Sequence, residues 1–199
     1  MKSRFLSFFL LFLTLQLSSQ SLDIKLLRYI NSPNDLQTDN FFKFVSNSTA
    51  FVIVGLPVGM GVAGLIKHDD ELFRNACATL TATAIGFGVS EGLKYIIKRD
   101  RPFIPYPDIN PKAGDITPTF PSSHTTTAFA TATSLSLAYP KWYIIVPSYT
   151  WASAVGYSRM ALGVHYPSDI LAGAIIGSGS AWLTHYVNKK LSIRAHKKP

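Results

Sequence analysis

Apolar residues in this chain run in long blocks without strand-like alternation, and charged residues stand mostly where the blocks end. That layout predicts helices. Leu22 to Ile30 is short and mixed, carrying Asp23, Lys25 and Arg28, and reads as a helix lying along a surface; Phe41 to Val45 continues in the same manner. Phe51 to Ile66 is the cleanest membrane-span candidate and stops at the charged turn Lys67-His68-Asp69-Asp70-Glu71. Asn75 to Ile97 predicts a long helix, and Arg101-Pro102 beyond it is a stop signal because proline cannot continue the hydrogen-bond ladder. Residues 103–123 hold Pro105, Pro107, Pro111, Pro118 and Pro121 with Gly114 and read as a loop. His124 to Ala138, Trp142 to Tyr157 and Asp169 to Val187 complete the set, with Tyr139-Pro140-Lys141 joining the first two. The expected fold class is all-α: an integral membrane bundle of about five to six helices.

Up-and-down helices would bring alternate block ends to one face. Lys94, Lys98 and Arg101 close one block, His124 opens the next, Arg159 closes the third, and His165 with Asp169 opens the last. These ends fall on the same side, giving a cationic cluster with two histidines that suits an anion such as phosphate.

The N-terminus has the layout of a secretory signal: Lys2 and Arg4, an apolar core from Phe5 to Leu17, then Ser18, Ser19, Gln20 and Ser21. Residues 1–20 are read as a signal peptide or N-terminal anchor, 21–188 as the folded domain, and 189–199 as a basic cytoplasmic tail. In either case the following chain starts on the far side of the membrane. The tail fits the positive-inside tendency, and the site would face the periplasm or exterior of a bacterial-type inner membrane, crossed several times.

A chain of 199 residues suits one domain, and a 47% hydrophobic share with 15% charged residues is unusual for a soluble protein. Some blocks are marginal as spans: His124 to Ala138 is rich in Thr and Ser, whose hydroxyls can bond back to the helix or across to a neighbour. Gly173 and Gly177 would let two helices approach closely in lipid. The rival is an exported soluble bundle. The net charge of +8 includes no long basic run apart from the tail, so nucleic acid is not an expected partner. Cys77 stands alone in an apolar stretch and excludes an intrachain disulfide.

On a helix, Lys94, Lys98 and Arg101 are spaced i, i+4 and i+7 and share one face. They could be a basic girdle snorkelling towards head groups or a binding stripe. Glu91, three residues before Lys94, is costly in an apolar helix unless paired, so its expected role is to hold Lys94 or a polar neighbour. Ser122 and Ser123 open a helix whose free N–H groups favour an anion, although either serine could be no more than an N-cap. His124 at that mouth can protonate a leaving oxygen. His165 and Asp169 are four apart; a carboxylate on one ring nitrogen fixes the tautomer and leaves the other free as nucleophile or base.

Three segments carry a resemblance: Lys94-x6-Arg101-Pro102, Pro121-Ser122-Ser123-His124, and Ser158-Arg159-x5-His165-x3-Asp169. Together they resemble the signature of the type 2 phosphatidic acid phosphatase (PAP2) superfamily, which includes bacterial acid phosphatases, glucose-6-phosphatase and vanadium-dependent haloperoxidases. The motifs run from Lys94 to Asp169, and the first ninety residues agree by layout alone. Ser123 departs from the family pattern, which has glycine there; its side chain adds bulk to this corner.

The resemblance implies that Lys94, Arg101 and Arg159 hold phosphate oxygens, helped by Ser122 and the amide of Ser123. His165 would attack phosphorus, Asp169 would orient it, and His124 would protonate the leaving group and then activate water. No metal or cofactor is required, because the cationic cluster stabilises the charge. Lys98 and Arg99 lie outside the matched positions and are assigned to the rim, where they would attract a substrate head group. The expected substrate is a lipid phosphate or diphosphate in the bilayer: undecaprenyl diphosphate, phosphatidylglycerophosphate, phosphatidate or lipid A. The alternatives are an exported acid phosphatase or haloperoxidase-like enzyme, and a non-catalytic membrane protein that binds phosphate compounds.

Overall fold

The computed structural model describes residues 22–31, 36–114 and 116–195; the leader expected at residues 1–20 lies outside them. These residues form α1 (22–30), α2 (Leu36–Lys67), α3 (Asp70–Ile97), α4 (Ser123–Ala138), α5 (Trp142–Ala161) and α6 (Pro167–Ala195). No strand occurs among the described residues. The all-α expectation holds.

Local chemistry explains where the helices begin and end. Asp69 caps α3 by accepting from the Leu72 amide at 2.9 Å, satisfying one of the amides a helix start leaves open. Lys98 ends the same helix in a left-handed conformation (φ 50°), its N–H returning to the Lys94 carbonyl at 3.0 Å. The helix therefore stops before Arg101, and the expectation that Lys94, Lys98 and Arg101 share one helical face is corrected. Lys94 is buried in the last turn, Lys98 points out exposed, and Arg101 is buried in the following loop.

The expected surface segment Phe41–Val45 is not separate from the span. It joins Phe51–Ile66 in one helix, the 32-residue α2. In the polar step Ser46–Thr49 the two serine hydroxyls serve the bundle. Ser48 Oγ donates to the Val45 carbonyl at 2.7 Å and accepts from Trp151 Nε1 at 3.0 Å. Ser46 Oγ accepts from Arg159 Nη1 at 2.7 Å. At 1.5 Å per residue α2 is about 48 Å long, more than the ~30 Å of a hydrocarbon core.

The shortest of the long helices, α4, is about 24 Å and lies inside the bundle, packed on α3, α5, α6 and α2. Most of its side chains are buried, and they are chiefly Ala, Thr and Ser. Their hydroxyls bond both ways, as expected. Thr127 and Thr131 donate back to the Ser123 and Thr127 carbonyls at 3.0 Å each. Across helices, Ser134 meets Thr79 at 3.0 Å, Thr131 meets Thr83 at 3.2 Å, and Thr133 reaches Ser178 at 3.1 Å. The α4–α6 contact is closer still, because Gly173 and Gly177 face α4 backbone. A Cβ on Gly177 would sit 2.1 Å from the Thr126 carbonyl oxygen, and one on Gly173 2.9 Å from that of Ser122.

The exterior reverses a soluble protein's pattern. Phe51, Val54, Val58, Val62 and Leu65 on α2, and Leu171, Ile175 and Trp182 on α6, are exposed. Among the described residues α2 and the part of α6 from Pro167 to Lys190 are long and apolar enough to cross a bilayer. Hydroxyls inside and hydrocarbon outside is the arrangement lipid favours, since hydrocarbon cannot satisfy a polar group. A soluble bundle would have to bury these faces, so the membrane expectation stands.

Candidate active site

One end of the bundle gathers the end of α3, the start of α4, the end of α5 and the start of α6. The Ser122 amide donates to the Asp169 carbonyl at 3.2 Å, joining the mouths of α4 and α6. Lys94 Nζ and Arg101 Nη2 converge on Thr117 Oγ1 at 3.5 and 3.3 Å. Arg101 is fixed further by its Nε, which donates to the Thr117 carbonyl at 2.7 Å, and its Nη1, which donates to the Val164 carbonyl at 2.9 Å. That carbonyl belongs to the residue before His165. Arg159 is buried on the last turn of α5 and bonds Ser46 of α2. Between Arg159 and His165 the chain turns through Gly163 (φ 72°), where a Cβ would lie 2.5 Å from the Asn110 carbonyl, so only glycine fits.

His165 and Asp169 are both buried, with Nδ1 3.4 Å from Oδ2. A closer partner stands between them. Thr119, buried in the loop, lies 3.0 Å from His165 Nδ1 and donates to Asp169 Oδ2 at 2.6 Å. A hydroxyl has a single proton. With that proton given to the carboxylate, the Thr119 oxygen accepts from the ring, so Nδ1 carries the hydrogen and Nε2 keeps its lone pair. Oδ2 also accepts from the Tyr166 amide at 2.9 Å. Burial pushes the His165 pKa down to about 4; Asp169 pulls upward, while the Arg159 and Arg101 charges push it down again. The imidazole is therefore neutral at neutral pH, the state a nitrogen nucleophile needs.

Ser122 is the N-cap of α4, its Oγ accepting from Thr125 Oγ1 at 3.0 Å and from the Thr125 amide at 3.4 Å. Ser123 gives its extra hydroxyl a use: it donates to Glu91 Oε1 at 2.6 Å and lies 3.0 Å from Ser90 Oγ. The same Glu91 oxygen pairs with Lys94 Nζ at 3.0 Å, so Glu91 does hold Lys94. His124 is half-buried on the first turn of α4.

Two features of this end were not expected from sequence. Thr119 was missed, having only a buried loop threonine as its signal. Arg99 does not sit on the rim alone. Its Nη1 donates to Asp169 Oδ1 at 2.7 Å and its Nη2 to Asp23 Oδ2 at 2.8 Å. Burial opposes the Arg99 charge, yet Asp169 and Asp23 together hold its pKa above the ordinary value. The expectation for α1 is refined in the same way: it is a helix, but Asp23, Ile24 and Leu27 are buried beneath it.

The donors gathered here are cationic side chains around a buried neutral imidazole, a set that suits an oxyanion. The chain is 39% identical over 75 residues to a lipid A 4'-phosphatase of Bacteroides thetaiotaomicron, covering 38% of this chain and 33% of that one. It is 35% identical over 103 residues to an undecaprenyl-diphosphatase of Sulfolobus acidocaldarius, covering 50% and 48%. The chain thus spans half or less of the length of these relatives. A transmembrane PAP2-type phosphatidylglycerolphosphate phosphatase from Bacillus subtilis has the same fold, with a TM-score of 0.73 at 22% identity over 93% of this chain and 96% of that one. The PAP2 superfamily model matches residues 75–193, a stretch that holds α4, α5 and nearly all of α3 and α6 together with Lys94, Arg99, Arg101, Arg159, His165 and Asp169, and the chain belongs to that superfamily.

Proposed function

We propose that this protein is a membrane phosphatase that hydrolyses a lipid phosphate monoester or diphosphate through a phosphohistidine. The observation that carries the reading is a buried His165 whose Nδ1 meets Thr119 and Asp169, at the same end of the bundle as the buried Lys94, Arg101 and Arg159 and in a bundle whose outer faces are apolar. Oxygen-rich anions are drawn to such a cluster, and the apolar exterior keeps the enzyme where lipid substrates are.

In the proposed reaction the three cations bind the phosphoryl oxygens and stabilise the charge that builds on them. His165 Nε2 attacks phosphorus in line with the leaving oxygen. The P–O bond to the lipid alkoxide, or to the lipid monophosphate, breaks as His124 gives that oxygen a proton. Thr119 and Asp169 stabilise the positive ring through its Nδ1–H. His124, now neutral, takes a proton from water; the oxygen attacks phosphorus, the P–N bond breaks, and inorganic phosphate leaves with His165 neutral again. The site is proposed to face the periplasm or exterior, level with the head groups. Relatives named for lipid A and undecaprenyl diphosphate support a lipid phosphate or diphosphate as substrate.

The test is phosphate release by detergent-purified protein from a panel of lipid phosphates, with EDTA present and His165→Ala alongside. Release by wild type, reduced by at least about four orders of magnitude in the variant, is the expected result. Undiminished release by His165→Ala would overturn the mechanism. Activity confined to small phosphate esters would overturn the lipid substrate.

A further inference from the structure

We propose that Asp23 and Arg99 are positioning residues that act on His165 through Asp169, so that docking of α1 is a condition of full turnover. This rests on the phosphatase reading above. Asp169 has two carboxylate oxygens with different duties. Oδ2 serves the reacting side, taking the Thr119 hydroxyl and the Tyr166 amide next to the His165 ring. Oδ1 faces the other way and accepts from Arg99 at 2.7 Å. The carboxylate is wholly buried, so without Arg99 that oxygen would have lost a charged donor in a place water does not reach. Its remaining freedom is rotation, and rotation carries Oδ2 off the Thr119–His165 line.

Arg99 in turn is clamped. Its guanidinium stacks 3.9 Å over the Tyr166 ring and donates to Ser168 Oγ at 2.7 Å and to Asp23 Oδ2 at 2.8 Å. Asp23 also caps α6 from another helix: its Oδ1 accepts from the Ser168 amide at 2.8 Å, and its Oδ2 from the Ser168 hydroxyl. A carboxylate at a helix N-terminus is favoured by the open amides and the dipole. Asp23 is on the first turn of α1, and α1 is held in place by Ile24 and Leu27, which pack with Ile109 and Tyr166. The path from α1 to the nucleophile is thus Asp23, Arg99, Asp169, Thr119 and His165, each step a direct contact. An arginine serving only to collect head-group charge would have no need of two buried carboxylates.

The experiment compares kcat and KM on the preferred lipid phosphate for wild type, Asp23→Asn, Arg99→Met, Arg99→Lys and the Asp23→Asn/Arg99→Met double variant, with melting recorded in the same detergent. Misplacing a reacting group costs rate rather than binding. The expected result is a kcat lowered about 10–100-fold in Arg99→Met and several-fold in Asp23→Asn, with KM within about twofold. Arg99→Lys should fall between wild type and Arg99→Met, because an ammonium can serve one carboxylate but not fork between two. The double variant should be no slower than Arg99→Met, since both changes act through one contact. Should Arg99→Met fail to fold, Arg99→Lys and Asp23→Asn carry the test by the same split. A raised KM with unchanged kcat, or losses that multiply in the double variant, would overturn the inference. An active wild type with unaffected variants sinks this inference alone; an inactive wild type sinks the phosphatase reading with it.

Discussion

The interior around α4 and the charged end of the bundle are both polar and both buried, yet they are held together by opposite means. Around α4 the polar atoms are neutral hydroxyls, and most have a backbone carbonyl one turn back as a partner. At the charged end they are ions, and several depend on residues far away in sequence: Arg99 on Asp23 and Asp169, Arg159 on Ser46, Lys112 on Asp39. A hydroxyl with a local partner can lose its distant one cheaply. A buried ion that loses its partner cannot. The interior therefore tolerates polar change but not added volume, whereas the charged end is sensitive to single polar deletions.

That contrast can be broken in order of effect. Adding one methyl at Gly177 puts it 2.1 Å from the Thr126 carbonyl oxygen. Overpacking of this kind costs about 1–3 kcal/mol and sometimes more, so Gly177→Ala should lower the melting temperature by many degrees and take activity with it; a wild-type melt would contradict the close backbone contact. Thr119→Val keeps the shape but removes the group between His165 and Asp169. We expect kcat to fall about 10–100-fold with little change in melting, and a kcat equal to wild type would leave Asp169 acting on the ring unaided.

Acid should distinguish the two regions next. The His165 pKa of about 4 lies below the unfolded value of about 6.5, so the folded state binds fewer protons between them. Stability from the neutral ring is present above pH 6.5 and is lost as pH falls towards 4. The melting temperature of wild type should drop by a few degrees more than that of His165→Gln over that window, and parallel curves would rule out a buried neutral imidazole. The smallest effect belongs to the interior pair Thr83 and Thr131. Their two protons serve three contacts: the Thr79 and Thr127 carbonyls and each other. Replacing both by valine should shift stability by about 0.5 kcal/mol or less, measured by melting in detergent; a loss of several degrees would mean the hydroxyl contact matters more than its geometry allows.

Sequence reading reached the parts of this molecule that are written locally. The glycine pair on α6, the hydroxyl pattern of α4 and the pairing of Glu91 with Lys94 are of this kind. The long-range clamps were not legible. Asp23 and Asp169 are 146 positions apart and are bridged by Arg99, and nothing in the spacing of Lys98-Arg99-Asp100-Arg101 says that alternate residues turn inward. Thr119 was hidden for the same reason, being one polar residue among the prolines of the loop. The merger of Phe41–Val45 with the span was missed because Ser46 and Ser48 look like a break until their partners on α5 are known.

The backbone contact between α4 and α6 has a consequence for how such a protein can change over generations. The start of α4 carries His124 and the start of α6 carries Asp169, and at Gly173 and Gly177 the two helices approach backbone to backbone. The spacing of His124 and Asp169 is thus set largely by the chain itself. The outward faces of α2 and α6 take no part in setting it. Bilayer thickness acts on those outward faces, so a lineage can retune one surface for new surroundings while the charged end is carried forward unaltered.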